Sequence, residues 1–336
     1  MNTILKAKAD NLICVYNELK KKYKWRANDI SLRFAAFIFA LFDVPFEINK
    51  YDTVIRFIKK NTGIFSYYRS TLLYSMAAQL MCQFDNYEQS FLQMLEYDHK
   101  MKDHGFKNTT YLGIAAYALL LTCTQDNLEY RIVRAQEIYK GMKEKHFWLT
   151  SSDDYAVSIL LAAEDEPVAI LIDRMEQHYN QLHSEGFGRS NGLQFLSHLL
   201  TFRTEQVSEK VTLCREIASF LKENKLAVSS MYYGTIGLLA LLGNDSKKAL
   251  EEVVDMVAYM KSRKDFKWYY KEINTLMISA LVSNEYMEEK KQQQGLSTTS
   301  IGITIEALIA AQTAAMIAAT TAAASAASAS ASAATC

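Results

Sequence analysis

Residues 86–122 read NYEQSFLQMLEYDHKMKDHGFKNTTYLGIAAYALLLT. Asn86 is a helix-capping type, because its side-chain oxygen can accept from an amide left free in the first turn. Behind it, Tyr87, Phe91, Leu92, Met94, Leu95 and Met101 recur three and four apart, which puts an apolar stripe on one face of a helix. Gly105 ends that helix where a left-handed residue costs least. Phe106 follows, Thr109 or Thr110 can cap again, and Tyr111 to Thr122 reads as a shorter, nearly all-apolar helix. The segment therefore predicts an amphipathic helix, a turn, and a buried helix running back.

The same grammar extends in both directions. A large apolar anchor recurs at Trp25, Phe65, Phe106, Phe147, Phe187, Leu226 and Phe266, at intervals of 40, 41, 41, 40, 39 and 40 residues. Gly186-Phe187 and Gly63-Ile64-Phe65 repeat the glycine turn, whereas Lys145-His146-Phe147, Lys225-Leu226 and Asp265-Phe266 replace the glycine. Five residues before the anchor stand Met101, Met142, Leu182 and Leu221. Nine to eleven after it stand Ala35, Ser75, Ala115, Ala156, Ser197, Gly237 and Thr275, small or short residues that let helices approach closely.

A fixed period of this length is the signature of stacked helical hairpins, each contacting its neighbours. The expectation is an all-α protein. About seven hairpins over residues 1–290 would stack as an open α/α superhelix or close into an α/α ring. The charged first helices would face water and the apolar second helices would lie inside.

Composition agrees. The chain has 336 residues, half of them apolar, with only 2 Pro and 12 Gly to interrupt helices. Lys+Arg and Asp+Glu are both 37, which removes the general electrostatic argument for a nucleic-acid binder. Five cysteines, at 14, 82, 123, 214 and 336, are scattered without CxxC spacing. That pattern favours buried thiols in a reducing compartment over disulfides or zinc. Met1 to Tyr16 lacks an uninterrupted apolar core for a secretory signal, so a cytoplasmic location is expected.

Residues 291–336 differ in character. From Gln292 onward the single charged residue is Glu306, and the last sixteen residues are Ala, Ser, Thr and a final Cys. Ile301, Ile305, Leu308, Ile309, Gln312 and Met316 share one helical stripe, which predicts a helix over about 297–320 followed by a frayed end. Docking on the body is the favoured reading. Membrane attachment or self-association through this tail is a weaker alternative, because Ala, Ser and Thr carry little transfer energy.

Residues with chemical potential are few. The pairs His99/His104 and His178/His183 are five apart, about 140° around a helix, so neither pair makes the single-face metal motif. No metal and no cofactor is expected. Ser151-Ser152-Asp153-Asp154 is the best carboxylate group, and paired carboxylates can do acid/base work or hold Mg²⁺. Ahead of Tyr155-Ala156-Val157, however, it also looks like a helix N-cap. Gly186 to Gly192 follows a helix rather than a strand and lacks the Lys-Ser/Thr ending, so it fails as a phosphate loop. Arg189 there remains a candidate anion contact.

The segment Lys20-Lys21-Lys22-Tyr23-Lys24-Trp25-Arg26 could touch phosphates or an anionic surface, and also sits where a helix C-terminus favours cations. Several of the 20 tyrosines open second helices, notably Tyr232-Tyr233 and Tyr269-Tyr270. If exposed, they would offer a half-polar surface for a partner.

Two stretches resemble a known family. His146-Phe147-Trp148-Leu149-Thr150-Ser151-Ser152-Asp153-Asp154-Tyr155, and Glu185-Gly186-Phe187 through Leu193-Gln194-Phe195-Leu196-Ser197-His198, resemble the "domain of unknown function 4003" proteins of Gram-positive, Bacillus-like bacteria. The likeness covers most of the chain, with Leu-Thr-x-x-x-Asp-Tyr and Leu-Ser-His as its distinctive pieces. It implies a cytosolic bacterial helical protein and carries over no catalytic or binding residue.

The favoured reading is a non-enzymatic scaffold binding a protein or peptide on its concave or Tyr-rich face, with Tyr232, Tyr233, Tyr269, Tyr270 and Arg189 as candidates. Neither nucleic acid nor a membrane is the expected partner. The rival is an enzyme whose α/α-ring site uses Asp153, Asp154 and His198.

Overall fold

The computed structural model describes residues 2–70, 72–202, 206–266 and 271–294. The predicted tail helix, Tyr269 and Tyr270 lie outside the described residues. Among those described there are fourteen α-helices and no strand. The protein is all-α.

The described residues group into two compact units, one of residues 10–120 and one of residues 2–9 with residues 121–294. The N-terminal unit holds most of α1 (Thr3–Tyr23), then α2 (Asp29–Phe42), α3 (Ile48–Lys60), α4 (Leu73–Gln83), α5 (Tyr87–Asp103) and most of α6 (Thr110–Thr122). The C-terminal unit holds α7 (Leu128–Lys145), α8 (Tyr155–Leu161), α9 (Val168–Ser184), α10 (Asn191–Thr201), α11 (Val207–Glu223), α12 (Gly234–Ala240), α13 (Ser246–Lys261) and α14 (Lys271–Gln294). The first turns of α1 belong to this second unit, where Lys8 Nζ lies 2.8 Å from Glu285 Oε2 on α14.

The two kinds of helix differ as their compositions predict. Every residue of α8 and α12 is buried, and α2 is buried continuously from Ile30 to Leu41. Odd-numbered helices bury one stripe: Tyr51, Val54, Ile55 and Ile58 on α3, and Val211, Cys214, Ile217 and Leu221 on α11. Packing follows the same division. In the N-terminal unit α2 packs on α4 and α3 on α5. In the C-terminal unit α7, α9, α11 and α13 are successive neighbours, as are α10, α12 and α14. The register of small residues explains the close approach of the inner helices. Ala35, Ser75, Ala115, Ala156, Ser197 and Thr275 are all buried, and a Cβ on Gly237 would stand 2.5 Å from Leu199 Cδ1.

The turns after the odd helices are not all alike. At Gly105, Gly186 and Lys225 the backbone is left-handed, with φ of 87°, 95° and 60°. The amides of Phe106, Phe187 and Leu226 then return to the carbonyls of Met101, Leu182 and Leu221 at 3.1, 3.1 and 2.7 Å. This is the Schellman closure, in which the residue after the left-handed one packs on the last turn of the helix. All three anchors and all three partners are buried. The residues spaced five before the anchor are thus the packing partners of that closure.

Gly63 departs from the expected grammar. It is not left-handed, and Phe65 stands fully in solvent, as do Ile64 and Trp25. Phe147 and Trp148 are exposed in the same way after α7. After α1, α3 and α7 there is no left-handed residue and the anchor stays exposed, whereas after α13 Phe266 is buried through a 3₁₀ turn (Lys264–Phe266) without one.

Candidate functional site

The Ser151–Asp154 segment forms a short 3₁₀ turn (Ser152–Asp154) that leads directly into α8. Ser151 is extended, and its side chain and that of Asp154 form a reciprocal capping box, with the Ser151 amide donating to Asp154 Oδ2 at 3.1 Å. Ser151 Oγ donates to Asp153 Oδ1 at 2.5 Å. The segment therefore does what its residue types do at a helix start: acceptors are placed on amides that no turn satisfies.

The other carboxylate oxygen of Asp154 faces α10. Its Oδ1 lies 3.5 Å from His198 Nδ1, and both side chains are buried. One turn earlier on α10, Gln194 Nε2 donates to Thr150 Oγ1 at 2.7 Å, also in the interior. Two polar contacts thus tie α10 to the turn before α8. Tyr139 packs edge-on against Tyr155 beside them, with centroids 4.9 Å apart. Burial, then the neighbouring Tyr155 and the Asp154 and Asp153 carboxylates, push the Tyr139 phenol up. Burial and the Asp154 carboxylate raise Asp153, against the Ser151 hydrogen bond that lowers it.

Of the candidate catalytic set, the structure brings Asp154 to His198, while Asp153 turns to Ser151. Two clefts are prominent in the C-terminal unit, and none of these three residues lines either. An acid/base pair must reach its substrate's proton within hydrogen-bond range. Asp154 and His198 are shut inside instead, as a cap and an interhelical contact. Among the described residues no group of three or more His, Cys, Asp or Glu could hold a metal ion.

The tyrosine candidates separate. Tyr232 is buried. Tyr233 is half-buried, its ring T-shaped on Phe187 at 5.1 Å and its hydroxyl accepting from the Gly188 amide at 3.4 Å. Arg189 is exposed, and its charge lowers the Tyr179 phenol against the dominant effect of burial.

Tyr233 lies in a cleft of about 400 Å³, floored by Phe187, Ala218, Val228 and Ile236 and edged by the exposed cations Arg215 and Lys222. Arg215 Nη1 is paired with Glu185 at 2.9 Å. A second cleft, of about 800 Å³, lies between α11 and the turn from α12 to α13, with Lys210, Glu216, Asp245 and Lys247 in its walls. Lys210 there is buried and donates to the Leu200 carbonyl at 2.7 Å. The small-residue and anchor patterns gave no sign of either cleft, because each is framed by residues from three or more segments far apart in the chain.

Residues 15–314 match the family described as "Protein of unknown function (DUF4003)". The chain belongs to that family. It is also 27% identical over 313 residues to "Uncharacterized protein YeaA" of Bacillus subtilis (strain 168), covering 92% of this chain and 94% of that one. No solved structure matches.

The two stretches that carry the family likeness are spatial partners in this member. Thr150 and Asp154 come from the first stretch, Gln194 and His198 from the second, and they meet in pairs. These four positions pack α10 against the turn before α8. Among the described residues no helix is long and apolar enough to cross a membrane.

Proposed function

We propose that this protein is a non-catalytic, cytoplasmic binding protein, and that the cleft beside Tyr233 receives an extended segment of a protein partner carrying an apolar side chain next to a carboxylate. The observation that carries this is the make-up of the cleft. An aromatic pair, Phe187 and Tyr233, and the aliphatic Val228 and Ile236 form its apolar part, while Arg215 and Lys222 stand at its edge. Aromatic floors with a cationic rim are how interfaces combine buried apolar area with charge selection. The reducing compartment is supported by Cys14, Cys82, Cys123 and Cys214, all free, with burial raising Cys82, Cys123 and Cys214 away from reactivity.

The test places a photo-crosslinking residue at Ser219, an exposed position on the cleft wall, in the full-length protein within its host. One reproducible cross-linked protein, lost on Lys222→Glu with the melting temperature unchanged, supports the reading. A cross-linking pattern that Lys222→Glu leaves intact, or none at all, counts against it.

The rival enzyme reading has one observation in its favour, the approach of Asp154 to His198. The burial of both side chains and the fact that neither lines either cleft weigh against it.

A further inference from the structure

Three side chains of the N-terminal unit are exposed far beyond what folding requires. Trp25 is 88% accessible, Ile64 79% and Phe65 102%. They sit on the two successive turns that follow α1 and α3, where the left-handed closure is missing. The end of α1 is held on the first turns of α3 and on the start of α4. Tyr23 Oη donates to Asp52 Oδ1 on α3 at 2.7 Å, Lys22 pairs with the same carboxylate at 3.0 Å, and Tyr74 Oη donates to the Arg26 carbonyl at 3.3 Å. Arg69 Nη1 holds the second turn by donating to the Thr62 carbonyl at 3.3 Å.

Exposed cations stand on both turns. Lys21, Lys22, Lys24 and Arg26 are exposed on the first turn, and Lys60 on the second. Lys24 Nζ lies 5.1 Å from the Trp25 ring centroid, so the cation and the indole occupy one surface. The carboxylates that contact these segments are engaged, Asp52 with Tyr23 and Lys22, Asp29 with Arg33 and Tyr16, and Asp98 with Tyr67, Tyr68 and Lys102.

We infer that these exposed turns of the N-terminal unit dock on an anionic lipid surface, with Trp25, Ile64 and Phe65 entering the headgroup layer and the lysines and Arg26 meeting lipid phosphates. Indole rings favour the interface between headgroup and hydrocarbon. Basic residues near an anionic leaflet add attraction that falls with salt. Protruding apolar tips need no complementary pockets in a soft layer, whereas a rigid partner would need one for each. A single-stranded nucleic acid would use Trp25 and Phe65 as stacking platforms, but Ile64 offers no such face. The contact is peripheral and spans nothing.

The experiment is flotation of the full-length protein with vesicles of phosphatidylcholine alone or mixed with phosphatidylglycerol. The protein is expected to float with the phosphatidylglycerol vesicles only, and to be released by raised salt. Trp25→Ser/Ile64→Ser/Phe65→Ser and, separately, Lys21→Glu/Lys24→Glu/Arg26→Glu should each weaken binding by about tenfold or more with the thermal melt unchanged. These side chains are exposed, so neither variant removes core. Failure to float with phosphatidylglycerol vesicles overturns the inference. So does flotation that neither variant alters, which would place the contact elsewhere in the chain. Capture of single-stranded RNA without flotation, lost in the same variants, overturns it in favour of a nucleic acid.

Discussion

The Oδ1 atom of Asp154 lies 3.5 Å from Nδ1 of His198, in the interior of the C-terminal unit. The separation is longer than a good hydrogen bond, so the contact depends on charge and local dipoles more than on a shared proton. The other carboxylate oxygen is committed to the Ser151 amide. One side chain therefore starts α8 and also orients α10.

Replacing Asp154 by Ala removes both functions. Loss of the cap costs about 1 kcal/mol, and loss of the longer contact to the buried imidazole adds less than one well-formed hydrogen bond, about 0.5 kcal/mol. The expected loss is about 1–2 kcal/mol in urea unfolding. The neighbouring tie should register as an interaction energy of about 1 kcal/mol in a double-mutant cycle on Thr150→Val and Gln194→Leu. Additive effects there would show that the Gln194 contact contributes nothing of its own.

The glycines separate into three predictions. Gly186→Ala forces an L-residue into φ of 95° with open space around the new methyl, so the expected cost is backbone strain alone, about 1–2 kcal/mol. Gly63→Ala meets no atom within 4 Å and no left-handed backbone, so it should be neutral or slightly stabilising. At Gly192 a Cβ would stand 1.7 Å from the Ser230 carbonyl oxygen, and backbone must move. Gly192→Ala should cost about 2 kcal/mol or more. Thermal melts of the three variants give the order directly. An equal effect at Gly63 and Gly186 would contradict the left-handed turn.

His178 is fully buried, and neither ring nitrogen makes a hydrogen bond of good geometry. Burial foremost, then the Lys210 cation, lower its pKa to about 3; the Arg174 carbonyl opposes this and the Arg174 charge adds to it. The unfolded chain, with a pKa of about 6.5, binds a proton that the folded chain refuses. Stability from this group is complete above about pH 6.5 and is lost as pH falls toward 3, with a slope of up to about 1.4 kcal/mol per pH unit. Asp153 and Glu164, both raised mainly by burial, contribute with the opposite sign. The check is therefore the difference between wild type and His178→Leu in urea unfolding across that range. The variant should lose less stability on acidification, and identical pH profiles would show that burial leaves proton binding by His178 unchanged.

The helical hairpins, their small-residue register and the glycine turns at Gly105 and Gly186 are legible in the sequence. Each depends on local geometry: apolar spacing sets the helix face, and a left-handed turn selects a residue without Cβ. Asp154 is legible as a cap for the same reason, since a capping box closes within four residues. The anchor period locates the turns but does not say which anchors are buried. Phe106 and Phe187 are buried while Phe65 and Phe147 are exposed, although all four sit at the same repeat position. Lys225 adopts the left-handed form without being glycine, and Gly63 does not adopt it. The pairing of Asp154 with His198, the cleft at Tyr233 and the burial of Tyr232 were likewise decided by tertiary structure. They rest on contacts between segments tens of residues apart, where packing between neighbouring hairpins determines which side chain meets which, and no periodicity along one chain encodes that meeting.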